Sequence, residues 1–289
     1  MADTAIGRTG ALTEEQLARF QRDGFLVVPD AFSADEVRQM QEEADHILEL
    51  ILNSSLCHGR RSGRLDWIEQ PDGVQHVRKI QPINDLSLCL TRVSEDARLL
   101  EPMRQIMGCE PVLMEEKLNY KQPLPRRIEG LDVRRGDDRF PIHNDWAYYA
   151  AQDYPQDIIS SALSMDACTA ENGPLHVWPG SHRSHLEHER CDIGLRVRDG
   201  LIDPDGGVDV LAPPGSVMFF HALLVHNSRP NATPHARRLM IYSHYPARID
   251  RGRDVRNGPT RLRESPWEHE YYRRKLAGDW RDSVRVRPV

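Results

Sequence analysis

The sequence after Pro111 is a succession of short apolar runs, each bounded by Gly, Pro, Asn or Asp. The runs cover residues 112–120, 158–166, 175–178, 216–220 and 239–245. Runs of this length, separated by such turn residues, are typical of β-strands. Many short strands joined by turns favour an all-β barrel or double sheet over alternating strands and helices. The second half of the chain is therefore predicted to form a jelly-roll-like core.

The first hundred residues predict helices rather than strands. Thr13 with Gln16, and Ser33 with Glu36, match the capping box, in which two residues three apart satisfy each other's backbone N–H groups. Helices are predicted over residues 13–22, 33–52 and 94–107, and Gly108 is expected to end the last of them. The predicted fold is mainly β with flanking helices, around a double-stranded β-helix of the jelly-roll or cupin-like kind.

Composition narrows the class of protein. Hydrophobic residues make up 39% of the chain and charged residues 28%, as in ordinary globular proteins. No apolar run approaches the roughly 20 residues that cross a bilayer, and the first residues lack a secretory pattern. The five cysteines form no Cys-x-x-Cys pair, which argues against a disulfide framework or a thiolate zinc site. We therefore expect a cytoplasmic protein without a membrane segment.

The distribution of charged and small polar residues suggests how the chain is organised. The net charge of −6 argues against a nucleic-acid partner. Residues 247–289 carry 12 Lys and Arg against 7 Asp and Glu, so they are interpreted as a basic C-terminal extension. Residues 1–10 are small and polar and are expected to be frayed. The whole chain, 1–289, is predicted to be a single domain that acts as a monomer or a homodimer.

Three residues have the chemistry of a metal site. His143 and Asp145 are two positions apart, so in an extended segment both side chains can reach one ion. His226 ends a later strand-like run. Two imidazoles and one carboxylate on one face of an octahedron suit Fe(II) and leave three positions open. Zinc hydrolases can use a similar set, but their usual helical His-Glu-x-x-His spacing is absent, so zinc is the second choice.

Arg237 follows His226 by eleven residues and indicates a dicarboxylate cosubstrate. A dicarboxylate that chelates iron at one end needs its other carboxylate neutralised inside the barrel, and a guanidinium does so through two parallel hydrogen bonds. Ser228 would share one side of an extended strand with His226 and could add a hydroxyl donor. Arg238 would point away from Arg237 and is expected to have a structural role.

These residues together resemble the phytanoyl-CoA dioxygenase family over roughly residues 12–246. The resemblance also rests on the segment 20–28, Phe-Gln-Arg-Asp-Gly-Phe-Leu-Val-Val, and on Glu-Asn-Gly-Pro-Leu at 171–175, which continues to Pro-Gly-Ser-His at 179–182. It implies that His143, Asp145 and His226 are the ligands of Fe(II), with 2-oxoglutarate and O₂ as cosubstrates.

The same resemblance implies roles for three further residues. Arg237 and Ser228 would bind the distal carboxylate of 2-oxoglutarate, and Lys79, in Lys79-Ile-Gln81, would approach the cosubstrate. The sequence departs from the family at 160–162, where small residues, Ser-Ser-Ala, replace a large aromatic that some members place beside the cosubstrate. Either the space near the iron is larger here, or another side chain fills it.

The remaining histidines near these motifs are expected to be structural. His182 and His185 resemble a pair of metal ligands, but the family resemblance implies that this loop is structural. His221 precedes His226 in the same run and is expected to be a hydrogen-bonded core group.

The predicted activity is Fe(II)- and 2-oxoglutarate-dependent hydroxylation of an unactivated C–H bond in a small molecule. A bacterial specialised-metabolism tailoring step is favoured, because Arg far outnumbers Lys and because of the family resemblance. A carboxylate at Asp145 argues against halogenation, which needs a small residue there. Desaturation, cyclisation and epimerisation stay open, since the pose of the substrate decides among them. A non-catalytic small-molecule-binding barrel and a zinc hydrolase are the alternatives of other classes.

Overall fold

The computed structural model describes residues 10–249 and 267–286. Residues 1–9 of the segment predicted to be frayed, 1–10, lie outside the described residues, as do residues 250–266 and 287–289 of the basic extension. No helix of the described ranges has the length and apolarity needed to span a membrane.

The described residues form the helices α1 (Glu14–Asp23), α2 (Ala34–Cys57), α3 (Leu88–Val93), α4 (Ala97–Met107), α5 (Trp146–Tyr149) and α6 (Trp267–Leu276). The predicted helices correspond to α1, α2 and α4, but α4 begins three residues later than predicted, because Asp96 caps it. Both capping boxes, at Thr13 and Ser33, are confirmed, and Gly108 ends α4 in the left-handed conformation. Helix α2 continues to Cys57, beyond its predicted end at residue 52, and in this added turn the hydroxyls of Ser54 and Ser55 donate to the Ile51 carbonyl.

All five predicted apolar runs form strands. The strands are β1 (Phe25–Val28), β2 (Leu65–Glu69), β3 (Gln75–Ile80), β4 (Pro111–Pro123), β5 (Arg134–Arg135), β6 (Phe140–His143), β7 (Ile159–Ser164), β8 (Leu175–Val177), β9 (His188–Cys191), β10 (Gly194–Val197), β11 (Val208–Asp209), β12 (Val217–His221), β13 (His226–Ser228) and β14 (Leu239–Pro246). The hairpin β9–β10 was not predicted, since its strands are short, polar and half-exposed.

The strands form two antiparallel sheets beside that hairpin. The larger has the order β1-β12-β7-β14-β4-β3-β2-β5, with only β2 and β5 parallel, and the smaller has the order β11-β8-β13-β6. This pairing agrees with the prediction of a double sheet. Helices occupy about as many described residues as strands, however, so the fold is mixed α and β rather than mainly β. The 24 residues of α2 supply much of this helical content.

The main hydrophobic core lies between the larger sheet and the helices. Residues of α2 and α4 pack there against alternate positions of β4, including Leu118 and Tyr120, and the Tyr120 hydroxyl donates to the Ala44 carbonyl at 2.7 Å. The other face of β4 turns toward the smaller sheet. Strand alternation therefore gives β4 an apolar face on the core and leaves its second face free for polar chemistry.

The end of the chain packs onto this core. The ring of Trp267 stacks on His58 with centroids 5.1 Å apart, and the Asn53 side chain bonds to the backbone of Ser283 and Val284. Val284 itself belongs to the main core. The described part of the C-terminal extension is thus attached to α2.

Glu116 should make the stability of the metal-free protein fall as pH rises. Its buried carboxyl accepts from the N–H groups of Ile83 and Asn84, and burial raises its pKa to about 7. The unfolded chain releases this proton near pH ~4.3. The contribution of the protonated Glu116 to the free energy of unfolding is therefore complete below about pH 4 and is lost as pH rises to about 7. Glu116→Gln should abolish this loss, stabilising the protein at about pH 8 by roughly 3 kcal/mol more than at about pH 5.

Urea denaturation of wild type and variant at these two pH values tests the expectation. The exposed Glu110 provides a matched control, because hydrogen bonding to Arg104 lowers its pKa, so Glu110→Gln should change nothing across this window. Parallel pH dependence in wild type and Glu116→Gln would contradict the assignment.

Candidate metal centre and its cavity

The two sheets enclose a cavity of about 260 Å³, and the three predicted metal ligands meet in its wall. His143 ends β6 and pairs in register with His226, the first residue of β13. Asp145 follows β6 and precedes α5. One ligand atom from each residue lies within 4.8 Å of the others, and Asp145 Oδ1 is 3.7 Å from His143 Nε2 and 3.9 Å from His226 Nε2. This is the only such group among the residues that the structure describes.

Backbone carbonyls orient both imidazoles. His143 Nδ1 lies 2.7 Å from the Pro141 carbonyl, and His226 Nδ1 lies 3.0 Å from the Leu224 carbonyl. Each Nδ1–H therefore donates to a carbonyl, which leaves the Nε2 lone pair directed toward Asp145. The arrangement fixes the neutral tautomer that a metal ligand requires.

The charges at the site also favour a cation. Burial and the neighbouring His143 lower the pKa of His226 to about 4, so this ring is neutral near pH 7. Burial alone would raise the pKa of Asp145, but the Lys117 ammonium, 3.6 Å away, and the two imidazoles lower it below its usual range. Asp145 Oδ2 is buried without a hydrogen-bond partner in the described part of the chain. A neutral His226 imidazole beside an ionised carboxylate whose Oδ2 has no partner in the described structure fits an Fe(II) ion.

A buried guanidinium stands farther along the same cavity. Arg237 is 1% exposed, and its Nη2 donates to the Gly173 carbonyl at 2.7 Å and to Ser228 Oγ at 3.1 Å. Its Nε and Nη1 have no partner among the described residues. Ser228 Oγ also donates to the Gly173 carbonyl. A buried cation with two uncommitted N–H donors has the chemistry to receive a carboxylate.

Gly173 explains why an Asn-Gly-Pro sequence is needed beside Arg237. The glycine has a φ of +68°, and a Cβ there would lie 2.2 Å from the Arg229 carbonyl and 3.1 Å from the Lys121 ammonium. Only glycine therefore brings the backbone carbonyl close enough to hold Arg237.

All six predicted site residues line this one cavity. They are Lys79, His143, Asp145, His226, Ser228 and Arg237. The sequence analysis missed a row of polar side chains on β4, Glu115, Lys117 and Asn119, that also line it. A partial signal was present, because Lys117 and Asn119 alternate with the apolar Leu118 and Tyr120, but Glu116 breaks this alternation between Glu115 and Lys117. Lys117 contacts Glu115 at 3.1 Å as well as Asp145, so it ties β4 to the metal-ligand motif.

The small residues at 160–162 are not part of the cavity wall. Phe220 pairs in register with Ser160, Ile241 pairs with Ala162, and both Phe220 and Ile241 line the cavity. The wall beside these small residues is therefore formed by side chains of the neighbouring strands.

Tyr148 and the hairpin β9–β10 border the cavity on another side. The Tyr148 hydroxyl accepts from the Leu195 N–H at 2.8 Å, and its ring meets His143 edge-on at 5.7 Å. Gly194 has a φ of +138°, a conformation that favours glycine, and a Cβ there would lie 2.6 Å from that hydroxyl, so the tyrosine packs directly on the backbone of the hairpin. The hairpin is therefore packed directly beside the metal-ligand motif.

The residues expected to be structural stand outside the metal group. His221 Nδ1 accepts from the Leu223 N–H, and its ring lies 5.6 Å from that of His182. Arg238 points away from Arg237 and forms ion pairs with Asp45 at 2.7 Å and Asp166 at 2.8 Å.

Known proteins resemble this chain over most of its length. The family model of phytanoyl-CoA dioxygenase matches residues 20–239. The ectoine dioxygenase of Sphingopyxis alaskensis is 29% identical over 263 residues, covering 83% of this chain and 78% of that protein. A methylphosphonate hydroxylase of Gimesia maris is 25% identical over 236 residues, covering 81% and 80%.

A solved structure shows the same likeness in three dimensions. The crystal structure of EctD from S. alaskensis with 2-oxoglutarate and 5-hydroxyectoine superposes with a TM-score of 0.62 at 27% identity, covering 84% of this chain and 79% of that one. The chain therefore belongs to the phytanoyl-CoA dioxygenase family of Fe(II)- and 2-oxoglutarate-dependent oxygenases.

Proposed function

We propose that this protein hydroxylates an unactivated C–H bond of a small polar molecule, with Fe(II), 2-oxoglutarate and O₂. The observation that carries the proposal is one cavity that holds both the His-Asp-His group and a buried, partly unpaired Arg237. Relatives named ectoine dioxygenase and methylphosphonate hydroxylase support the reaction type and a small substrate. A tailoring step in bacterial specialised metabolism is the setting we propose.

His143, Asp145 and His226 would hold the iron. The bound ion, with 2-oxoglutarate, supplies the oxygen activation that C–H oxidation requires. The carbonyls of Pro141 and Leu224 keep both imidazoles in the neutral tautomer with Nε2 free. Lys117 partly balances the charge of Asp145 and restrains its carboxylate on the side of β4.

Arg237 and Ser228 would bind the distal carboxylate of 2-oxoglutarate. The Nη2 of Arg237 is held by Gly173 and Ser228, which fixes the guanidinium plane before any ligand arrives. One of its uncommitted nitrogens, Nε or Nη1, remains available to donate to the carboxylate. Lys79 is a further cation in the wall of this cavity, placed to attract an anionic ligand such as the cosubstrate.

We also propose that the two sheets form a double-stranded β-helix and that the chain is a single oxygenase domain. Both sheets contribute residues to one central cavity, as such a core requires. The packing of Val284 in the main core supports one domain that includes the described end of the chain.

Omission assays test the proposed reaction type. Succinate formation from 2-oxoglutarate is expected only when Fe(II), 2-oxoglutarate and O₂ are all present, and Zn(II) should not replace Fe(II). A non-catalytic binding barrel would form no succinate under any condition. A zinc hydrolase would be indifferent to 2-oxoglutarate, so either result would contradict the proposal.

A further inference from the structure

Asn144, between the metal ligands His143 and Asp145, has a buried backbone N–H beyond the end of a strand. In the described structure β6 is an edge strand of the smaller sheet, and the pair His143–His226 ends its ladder with β13. Asn144 lies just past that pair and is fully buried. A buried backbone N–H needs an acceptor, because leaving it unpaired costs about as much as a lost hydrogen bond.

His188, in the hairpin strand β9, supplies that acceptor. The Asn144 N–H donates to His188 Nε2 at 3.1 Å, and His188 Nδ1 lies 2.7 Å from the Leu186 carbonyl. A carbonyl can only accept, so the Nδ1–H donates to Leu186, which fixes the neutral tautomer with its lone pair on Nε2. Burial lowers the pKa of His188 to about 4, and the ring therefore keeps this form near pH 7.

The Asn144 side chain is held from the same segment. Its Nδ2 lies 3.3 Å from His185 Nδ1, and its Oδ1 accepts from the Ala147 N–H at 3.1 Å. The ring of His185 stacks on that of His188, with centroids 5.2 Å apart and planes 10° from parallel. Two stacked imidazoles thus contact the side chain and the backbone of the residue that separates the two metal ligands.

Apolar packing anchors the hairpin that carries His188 against the ligand-bearing strands. Val197, which pairs with His188 across the hairpin, belongs to one hydrophobic cluster with Val225 and the partly buried Ile142. Ile142 and Val225 are the residues directly before the two ligand histidines. The position of His188 is therefore set by contacts with the same strands that position the ligands.

We propose that His188 is a positioning residue of the iron site, which holds the turn from His143 to Asp145 in its ligand-ready conformation through the Asn144 N–H. This inference rests on the proposed function, because it assumes that His143 and Asp145 bind Fe(II). Without the acceptor, the turn would populate other conformations in the metal-free protein, and the apparent affinity for the ion would fall in proportion to the competent fraction. Hydrogen-bonding partners outside the ligand shell commonly contribute about 10- to 100-fold to metal affinity.

Anaerobic titration with Fe(II) tests the proposal on two variants of similar size. His188→Leu removes the acceptor and should weaken Fe(II) binding by roughly tenfold or more. His188→Gln carries an amide oxygen about as far from the backbone as Nε2, so it can still accept from Asn144 and should keep the affinity within about threefold of wild type. Rescue by Gln separates the hydrogen bond from the packing of the ring.

Hydrogen exchange of the Asn144 amide in the metal-free protein tests the hydrogen bond directly. In protein isotopically labelled at asparagine, this amide should be protected in the wild type, although it lies beyond the paired strands. It should exchange at least roughly tenfold faster in His188→Leu. Fast exchange in the wild type would overturn the inference, even if His188→Leu failed to fold.

His176→Leu is the structural control. His176, on β8, also bonds through both ring nitrogens, to Asp209 and to the Gly206 carbonyl, but it lies outside the cavity wall. Its loss should lower the thermal midpoint and leave Fe(II) affinity within about twofold of wild type. Unchanged Fe(II) affinity in His188→Leu, or a loss shared equally by His188→Gln or His176→Leu, would overturn the inference. Failure of the wild type to bind Fe(II) would instead refute the proposed function.

Discussion

His226→Ala is expected to abolish tight Fe(II) binding and to lower 2-oxoglutarate turnover by more than roughly 100-fold. Loss of an outer hydrogen-bonding partner already costs roughly 10- to 100-fold in metal affinity, and His226 is one of only three proposed direct ligands. Removing it leaves His143 and Asp145, which offer one imidazole and one carboxylate. Anaerobic titration with Fe(II), followed by succinate assays, measures both effects.

His221→Ala is the matched control for that change. His221 precedes His226 by five residues and is half-buried at the end of β12. Burial lowers the pKa of His221 to about 4, as it does that of His226. It bonds to the Leu223 N–H and lies outside the cavity wall. We expect this variant to lose some stability while its Fe(II) affinity stays near wild type. Equal loss of metal in both variants, or undiminished metal binding in His226→Ala, would refute the ligand assignment.

The metal group could be predicted because its chemistry is local and restrictive. His143 and Asp145 are only two residues apart and few residue types suit Fe(II), so spacing and ligand chemistry together were enough, although Asp145 lies past the end of β6 in a helical conformation and not in the expected extended one. Alternation alone likewise predicted that the side chains of Arg237 and Arg238 point in opposite directions. Their different partners, Gly173 for Arg237 and Asp166 for Arg238, confirm this prediction.

The other residues of the cavity are brought together by pairing between distant strands, which the order of residues along the chain does not reveal. Alternation places Glu115, Lys117 and Asn119 on one face of β4, but it does not say what that face meets. The answer follows from the sheet order β14-β4-β3, which is set by pairing between strands far apart in the chain. That Lys79 of β3 lies beside Asn119 of β4 in this wall could therefore be recognised only once β3 was placed next to β4. Local propensity failed similarly for the polar hairpin β9–β10.

Arg237→Met is expected to weaken 2-oxoglutarate binding by roughly 30-fold or more. Truncating one member of a buried, hydrogen-bonded charge pair costs about 2–5 kcal/mol, and about 1.4 kcal/mol corresponds to a factor of ten. The same change should stabilise the metal-free protein, because two buried N–H groups of Arg237 have no partner among the described residues. The Gly173 carbonyl would keep its hydrogen bond from Ser228.

Arg238→Met should show the opposite pattern, although it changes the next residue in the same way. Arg238 pairs with Asp45 and Asp166, so its loss removes the guanidinium from two largely buried carboxylates and should lower the thermal midpoint. The affinity of the Arg238→Met protein for 2-oxoglutarate should stay near wild type, since the Arg238 side chain lies outside the cavity wall. Calorimetric titration with 2-oxoglutarate and thermal unfolding of both metal-free variants measure the two quantities separately. Because stability and affinity move in opposite directions in Arg237→Met, general damage to the fold cannot imitate the result. A variant that loses both would show that Arg237 supports the barrel rather than the cosubstrate.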